Sequence, residues 1–150
     1  VISLVEFTTR CRLSGILSES ADLMEDLLEA AGGINIIPSQ QQYEVYIERR
    51  PAVLFCSTAI SLIAGAMLKA QSNGGIAFAT EEESDFIVVT ITAALSPTAL
   101  SAICHKLDAQ TANLNLTISK AVDDNKVKLQ FQRPPGSYFT TTSSRKNQAG

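Results

Sequence analysis

Tryptophan is absent from this 150-residue chain, histidine occurs once (His105), and cysteine occurs three times (Cys11, Cys56, Cys104). The cysteines are far apart and odd in number, and no Cys-x-x-Cys pair is present. That pattern excludes a disulfide framework and a zinc site of ordinary ligand spacing, so no metal is expected. The three thiols read instead as small buried hydrophobes in a reducing, cytoplasmic compartment. A strong charge of either sign is also lacking. Twelve Lys and Arg stand against 15 Asp and Glu, for a net charge of −3. No basic cluster alternates with aromatics. The chain therefore has no bulk attraction to a phosphate backbone or an anionic lipid surface, and neither nucleic acid nor membrane is expected as a partner.

Between Arg50 and Lys69 charge disappears altogether, over PAVLFCSTAISLIAGAML. A membrane span needs about 20 mainly apolar residues. This run is 18 residues long and includes Pro51, Ser57, Thr58, Ser61 and Gly65. Strands of alternating polarity are expected on both sides of it, and a span would part them. The run therefore reads as a central helix buried against a sheet. Pro51 opens it, where the missing N–H costs nothing, and NGG after Gln71 closes it. Ser57, Ser61 and Gly65 recur every four residues and form a narrow seam that admits a neighbouring backbone or a second subunit.

What is present follows the grammar of one α+β domain over 1–131. VISLVEFT at the start reads as a strand, and residues 14–31 as an amphipathic helix with Leu17, Ala21, Met24, Leu28 and Ala31 on one stripe. Gly32 and Gly33 end that helix. INII and YEVYIE read as two strands of one sheet, the second with Tyr43, Val45 and Ile47 on one side. After the central helix come GIAFAT, an acidic turn over Glu81–Asp85, and FIVVTIT. Ser96 and Pro97 start a further helix whose buried stripe is Leu100, Ile103, Cys104 and Leu107. A hairpin closes the domain, with Leu114, Leu116 and Ile118 inward on NLNLTIS and Val127, Leu129 and Phe131 inward on VKLQF. The expected architecture is a two-layer sandwich, with helices on one face of a mostly antiparallel sheet and the other face open. Residues 132–150 are poor in apolar anchors and read as a flexible tail.

A long helix, Lys69, the pair Gly74–Gly75 and then two strands resemble the ATP-binding fold of histidine kinases over about residues 34–131. In that family the helix carries asparagines that hold magnesium. Here those positions fall near Leu62 and Ala66, which hold no metal. The family's Asp-x-Gly-x-Gly motif should follow FIVVTIT, but AALSP stands at 93–97, and no glycine-rich lid is written. The resemblance implies a degenerate nucleotide domain, without ATP or another cofactor, as in bacterial histidine phosphotransferases. Those proteins carry the phosphorylated histidine on an upstream helix. The first helix here has none.

Several residues stand out by type. Glu19, Asp22, Glu25, Asp26 and Glu29 put five acids on one helix face with no base among them, a candidate interaction surface. His105 has Asp108 three residues on, but no nucleophile with a fixed place, and Cys104 points away from it. The glycine pairs follow helices rather than precede them, so they cap and do not cradle phosphate. The acidic turn lacks the ligand spacing of a calcium loop. Intact core patterning with absent chemistry points to a non-catalytic interaction or regulatory module in signal transduction. Its partner would be another protein, a second copy of the chain among the candidates. The alternative is a small enzyme or ligand-binding domain that uses the open sheet face, with His105, Tyr43 or Arg49 lining a cavity.

Overall fold

The computed structural model describes residues 9–36, 43–72, 74–111, 118–123 and 125–134. The elements run in the order β1 (Thr9–Arg12), α1 (Leu13–Leu23), α2 (Glu25–Ala30), β2 (Ile34–Ile36), β3 (Glu44–Ile47), α3 (Arg49–Lys69), β4 (Ile76–Glu82), β5 (Phe86–Ala93), α4 (Pro97–Thr111), β6 (Ser119–Asp123) and β7 (Lys126–Gln132). The chain is an α+β fold. Its main sheet has the order β2-β4-β5-β7-β6, with every pairing antiparallel except β2 with β4.

The alternation of β4, β5 and β7 gives the sheet one apolar face. Phe78 pairs with Ile91, which pairs with Val127, and Val89 pairs with Leu129. All five are at most 1% exposed. On this face lies α3, with α1 and α2 along one side and α4 along the other. Ala52, Phe55, Ile60, Ile63, Ala64 and Met67 of α3 are buried. By length and composition α3 could cross a membrane, yet 56% of its apolar window is buried within this fold. Two buried hydroxyls meet at this helix, one from α3 itself and one from α1. Ser57 donates to the Val53 carbonyl at 2.7 Å, and Ser20, from α1, lies 3.2 Å from that same oxygen and 2.7 Å from the Ile16 carbonyl. Among the described residues no buried side-chain nitrogen or oxygen lacks a partner, so these hydroxyls add no desolvation penalty.

Several expectations change. The strand expected over 1–8 lies outside the described residues, and the first described strand is Thr9–Arg12. The helix expected over 14–31 is two helices, broken at Met24 (φ −110°, ψ 22°). INII and YEVYIE do not share a sheet: β2 edges the main sheet beside β4, whereas β3 pairs with β1 in a sheet of two strands. The central helix begins two residues before Pro51, which still falls in its first turn, where an N–H has no intrahelical partner. Gln71 (φ 56°) ends it, with Ser72 N–H reaching the Met67 carbonyl at 2.7 Å, so the closing left-handed residue precedes NGG. Leu114 and Leu116 lie outside the described residues. Among the described residues the first strand of this hairpin is SKAVD, with Ile118 just before it buried as expected, and Asp123 pairs with Lys126 across the turn. Of the expected tail, Gln132 ends β7, Arg133 is fixed by an ion pair to Glu82 at 2.5 Å, and 135–150 lie outside the described residues.

The glycine pairs join the end of α2 to the start of β4. Gly75 N–H bonds the Ala31 carbonyl and Ile76 N–H the Gly33 carbonyl, both at 3.0 Å. Gly75 has φ +83°, and a Cβ there would sit 3.0 Å from the Gly32 carbonyl oxygen. Gly65 differs, for nothing lies within 4 Å of the Cβ it lacks. Gly75→Ala is expected to lower unfolding stability by about 1–3 kcal/mol through the forced left-handed backbone and the carbonyl contact. Gly65→Ala is expected to raise it by about 0.5–1 kcal/mol, because only helix entropy changes. Urea unfolding of both variants checks the pair. Equal shifts would contradict the account.

Candidate functional site

Positions 62 and 66 of α3 are where the resemblance sets the metal-holding asparagines of histidine kinases. Leu62 and Ala66 are half-buried and pack against the core. Ala93 is buried at the end of β5, and in the loop that follows Ser96 Oγ accepts the Ala99 N–H at 3.2 Å as the cap of α4. No carboxylate or amide stands at either position. Among the described residues no group of three or more His, Cys, Asp or Glu is gathered to hold a metal.

The seam residues separate. Ser57 is 5% exposed, with its hydroxyl spent on Val53, so it is not on a surface open to a second subunit. Ser61 and Gly65 remain half-exposed. The seam expected from spacing alone is thus not continuous, because one of its three members turns into the fold.

The acidic row is on the surface. Asp22, Glu25, Asp26 and Glu29 are exposed, and none makes an ion pair among the described residues. Glu19 stands apart, for Arg49 at the start of α3 donates to its carboxylate at 2.7 Å. The face without a base therefore acquires one from a distant segment. A cleft of about 380 Å³ runs alongside, between α1 and the first turns of α3, lined by Glu19, Leu23, Arg49, Arg50, Val53 and Leu54. Leu23 and Leu54 are 57% and 48% exposed. Sequence reading missed both. Leu23 falls off the stripe that buries α1, which was the available signal, and Leu54 lies in a run where every neighbour is apolar too.

A second cleft, of about 420 Å³, lies where the two glycine pairs meet the ends of β4 and β5. Thr92 and Asn125 supply its polar side chains; the rest are glycine, alanine and isoleucine. Among the described residues that line it none is titratable.

The remaining candidates are occupied by structural work. Asp108 is bound by Lys120 at 2.8 Å, and the Lys120 ammonium sits 5.5 Å from the centre of the Phe55 ring. The carboxylate expected to orient His105 is therefore engaged elsewhere, and His105 is exposed on α4. Burial, with the nearby Asp108 carboxylate, raises the Cys104 thiol, against an opposing effect of Lys120. In the acidic turn Arg133 pairs with Glu82 and donates to the Glu83 carbonyl at 2.9 Å, so a fixed cation already sits where calcium was considered. None of the clefts described brings Tyr43, Arg49 and His105 together.

No family model and no curated protein matches this chain. Solved structures do. The Acinetobacter baumannii histidine kinase AdeS superposes with a TM-score of 0.56 at 15% identity, covering 88% of this chain and 70% of that one. A nucleotide-free catalytic domain of histidine kinase ThkA gives 0.54 at 14% identity, covering 85% and 97%. A histidine kinase from Burkholderia phymatum gives 0.54 at 13%, covering 88% and 73%. The fold is thus similar to that of histidine kinase catalytic domains. At these identities the likeness is one of fold.

Burial also sets how this fold answers to alkali. It pushes the Cys56 thiol from 9.0 up to about 12, only partly offset by the Ser20 hydroxyl. In the unfolded chain that thiol ionises above pH 9; in the folded chain it keeps its proton to near 12. Between those values the unfolded state has released a proton that the folded state still holds, so stability falls as pH rises. The contribution is expected to approach about 1.4 kcal/mol per pH unit above pH 9. Urea unfolding across that range, compared with Cys56→Ala, reads it. The same slope in both proteins would refute the assignment.

Proposed function

We propose that this chain is a non-catalytic protein-interaction module of cytoplasmic signal transduction, built on a kinase-type fold that does not use nucleotide. The observation that carries the reading is α3 itself. The scaffold that resembles a nucleotide domain is intact, while Leu62, Ala66 and residues 93–97 offer a metal or a phosphate nothing. What the surface does offer is charge. Asp22, Glu25, Asp26 and Glu29 are exposed along α1 and α2 without partners among the described residues. Like charges one turn apart repel, and a basic partner relieves that repulsion and is steered toward the face. A protein partner is also in keeping with the histidine kinase ThkA solved in complex with response regulator protein TrrA, which matches with a TM-score of 0.56 at 15% identity, covering 85% of this chain and 41% of that one. Three cysteines at 11, 56 and 104, with no disulfide among the described residues, suit a reducing cytoplasm.

Two measurements test the reading. Calorimetry with ATP and magnesium is expected to show no saturable one-to-one binding. A dissociation constant tighter than about 10 μM, roughly 7 kcal/mol, would end the claim that nucleotide is not used. Partners captured from native extract by the wild-type chain are expected to be lost when Asp22, Asp26 and Glu29 are each changed to Lys, and to be released by salt. Recovery of the same partners with the same salt sensitivity would show that the acidic face serves solvation alone.

A further inference from the structure

We propose that the cleft between α1 and the start of α3 is the contact surface of a two-fold dimer of this chain. The cleft has an apolar centre. Val53 is 5% exposed at its base, and Leu23 and Leu54 stand on its two sides, 57% and 48% exposed. They are two of the three large hydrophobic side chains left exposed among the described residues. Two such residues facing one groove are anchors for something that fills it. The Glu19–Arg49 bridge, 2.7 Å long, lies in the wall and is already neutral.

The flanks of that centre decide what fills it. On the α3 side stands Arg50, exposed and without an ion pair among the described residues. On the α1–α2 side, next to Leu23, stand Asp22 and Asp26, also exposed and unpaired there. A purely basic ligand meets Arg50, and a purely acidic one meets the aspartates. The occupant must carry an apolar centre with a base on one side and acids on the other, in reversed order. The chain's own cleft has that arrangement. A two-fold axis through the leucines sets Arg50 of each copy against Asp22 and Asp26 of the other, twice over, which is the self-complementarity an isologous contact requires. The patch is small beside a standard interface of about 1,600 Å², so the dimer is a weak one, with a dissociation constant on the order of 10–100 μM. This goes beyond the proposed function, since it needs no second protein and is read on the purified chain alone.

Sedimentation of the full chain tests it by charge exchange. Between about 5 and 500 μM in low salt, the wild type is expected to move from 16.1 kDa toward twice that mass. Arg50→Glu alone places like charges across the axis, and so does Asp22→Lys with Asp26→Lys. Each variant by itself is expected to dimerise at least about tenfold more weakly. Mixed in equal amounts the two restore both attractive contacts, and the mixture is expected to dimerise as the wild type does. Leu54→Glu is expected to abolish the dimer, with its circular dichroism unchanged because the side chain is on the surface. A wild type that stays at 16.1 kDa throughout overturns the proposal and leaves the cleft to another protein's helix. So does a mixture no more dimeric than its parts, or a dimer that Leu54→Glu leaves intact.

Discussion

Everything in this fold is arranged around the desolvation of α3. A helix with no charge from Pro51 to Leu68 is stable in water only when most of its circumference is covered. The sheet covers one side with Phe78, Ile91, Val89 and Leu129, and α1 and α4 cover two more. Inserting polar groups into such a centre is costly unless each finds a partner. Ser20 and Ser57 meet that condition by converging on a single acceptor, the Val53 carbonyl. Of the two, only the Ser20 contact crosses from α1 to α3.

The edges of the sandwich are held by interactions of a different kind. Lys120, on the inner side of edge strand β6, has a side chain only 7% exposed. Its charge is balanced by Asp108 from α4, and its approach to Phe55 of α3 adds a cation–π contact. One side chain thus ties β6 to the helix before it and to the more distant α3. Arg133 does the same at the other end of the sheet, gathering Glu82 and the carbonyls of Glu83 and Ser84 just beyond β7. Removing one member of such a pair leaves a largely buried charge without compensation, which is more costly than the pair is stabilising. In the sequence Arg133 falls within the stretch read as a tail, and nothing singles out Lys120.

That contrast marks what sequence reading reached. The central helix was legible because the absence of charge over 18 residues is a strong local signal, and β7 because period-two alternation names its buried face without reference to any partner. The fold class followed from those elements. Pairing was not legible. INII and YEVYIE are equally strand-like, and which sheet each joins depends on Ile76 and Val45 meeting partners 30 or more residues away. The inclusion of Lys120 in β6 was hidden for the same reason, since it fills an inward position that looks polar until Asp108 is beside it. The acidic row was legible by spacing, its neutralisation at Glu19 by Arg49 was not, and the seam at Ser57, Ser61 and Gly65 was read too regularly, because periodicity gives a face and not the depth at which it lies.

A kinase-like fold can carry leucine and alanine at positions 62 and 66 for a physical reason. A ligand-binding amide on the half-buried side of a helix is satisfied only while the ligand is there; between ligands it needs water or another partner. Leucine at 62 and alanine at 66 need neither, and they extend the core instead. The core around positions 62 and 66 therefore closes without any bound group. The exposed surface beside it is uneven: Arg50 and the acids Asp22, Glu25, Asp26 and Glu29 along α1 and α2, none in an ion pair among the described residues, border two leucines that face one cleft.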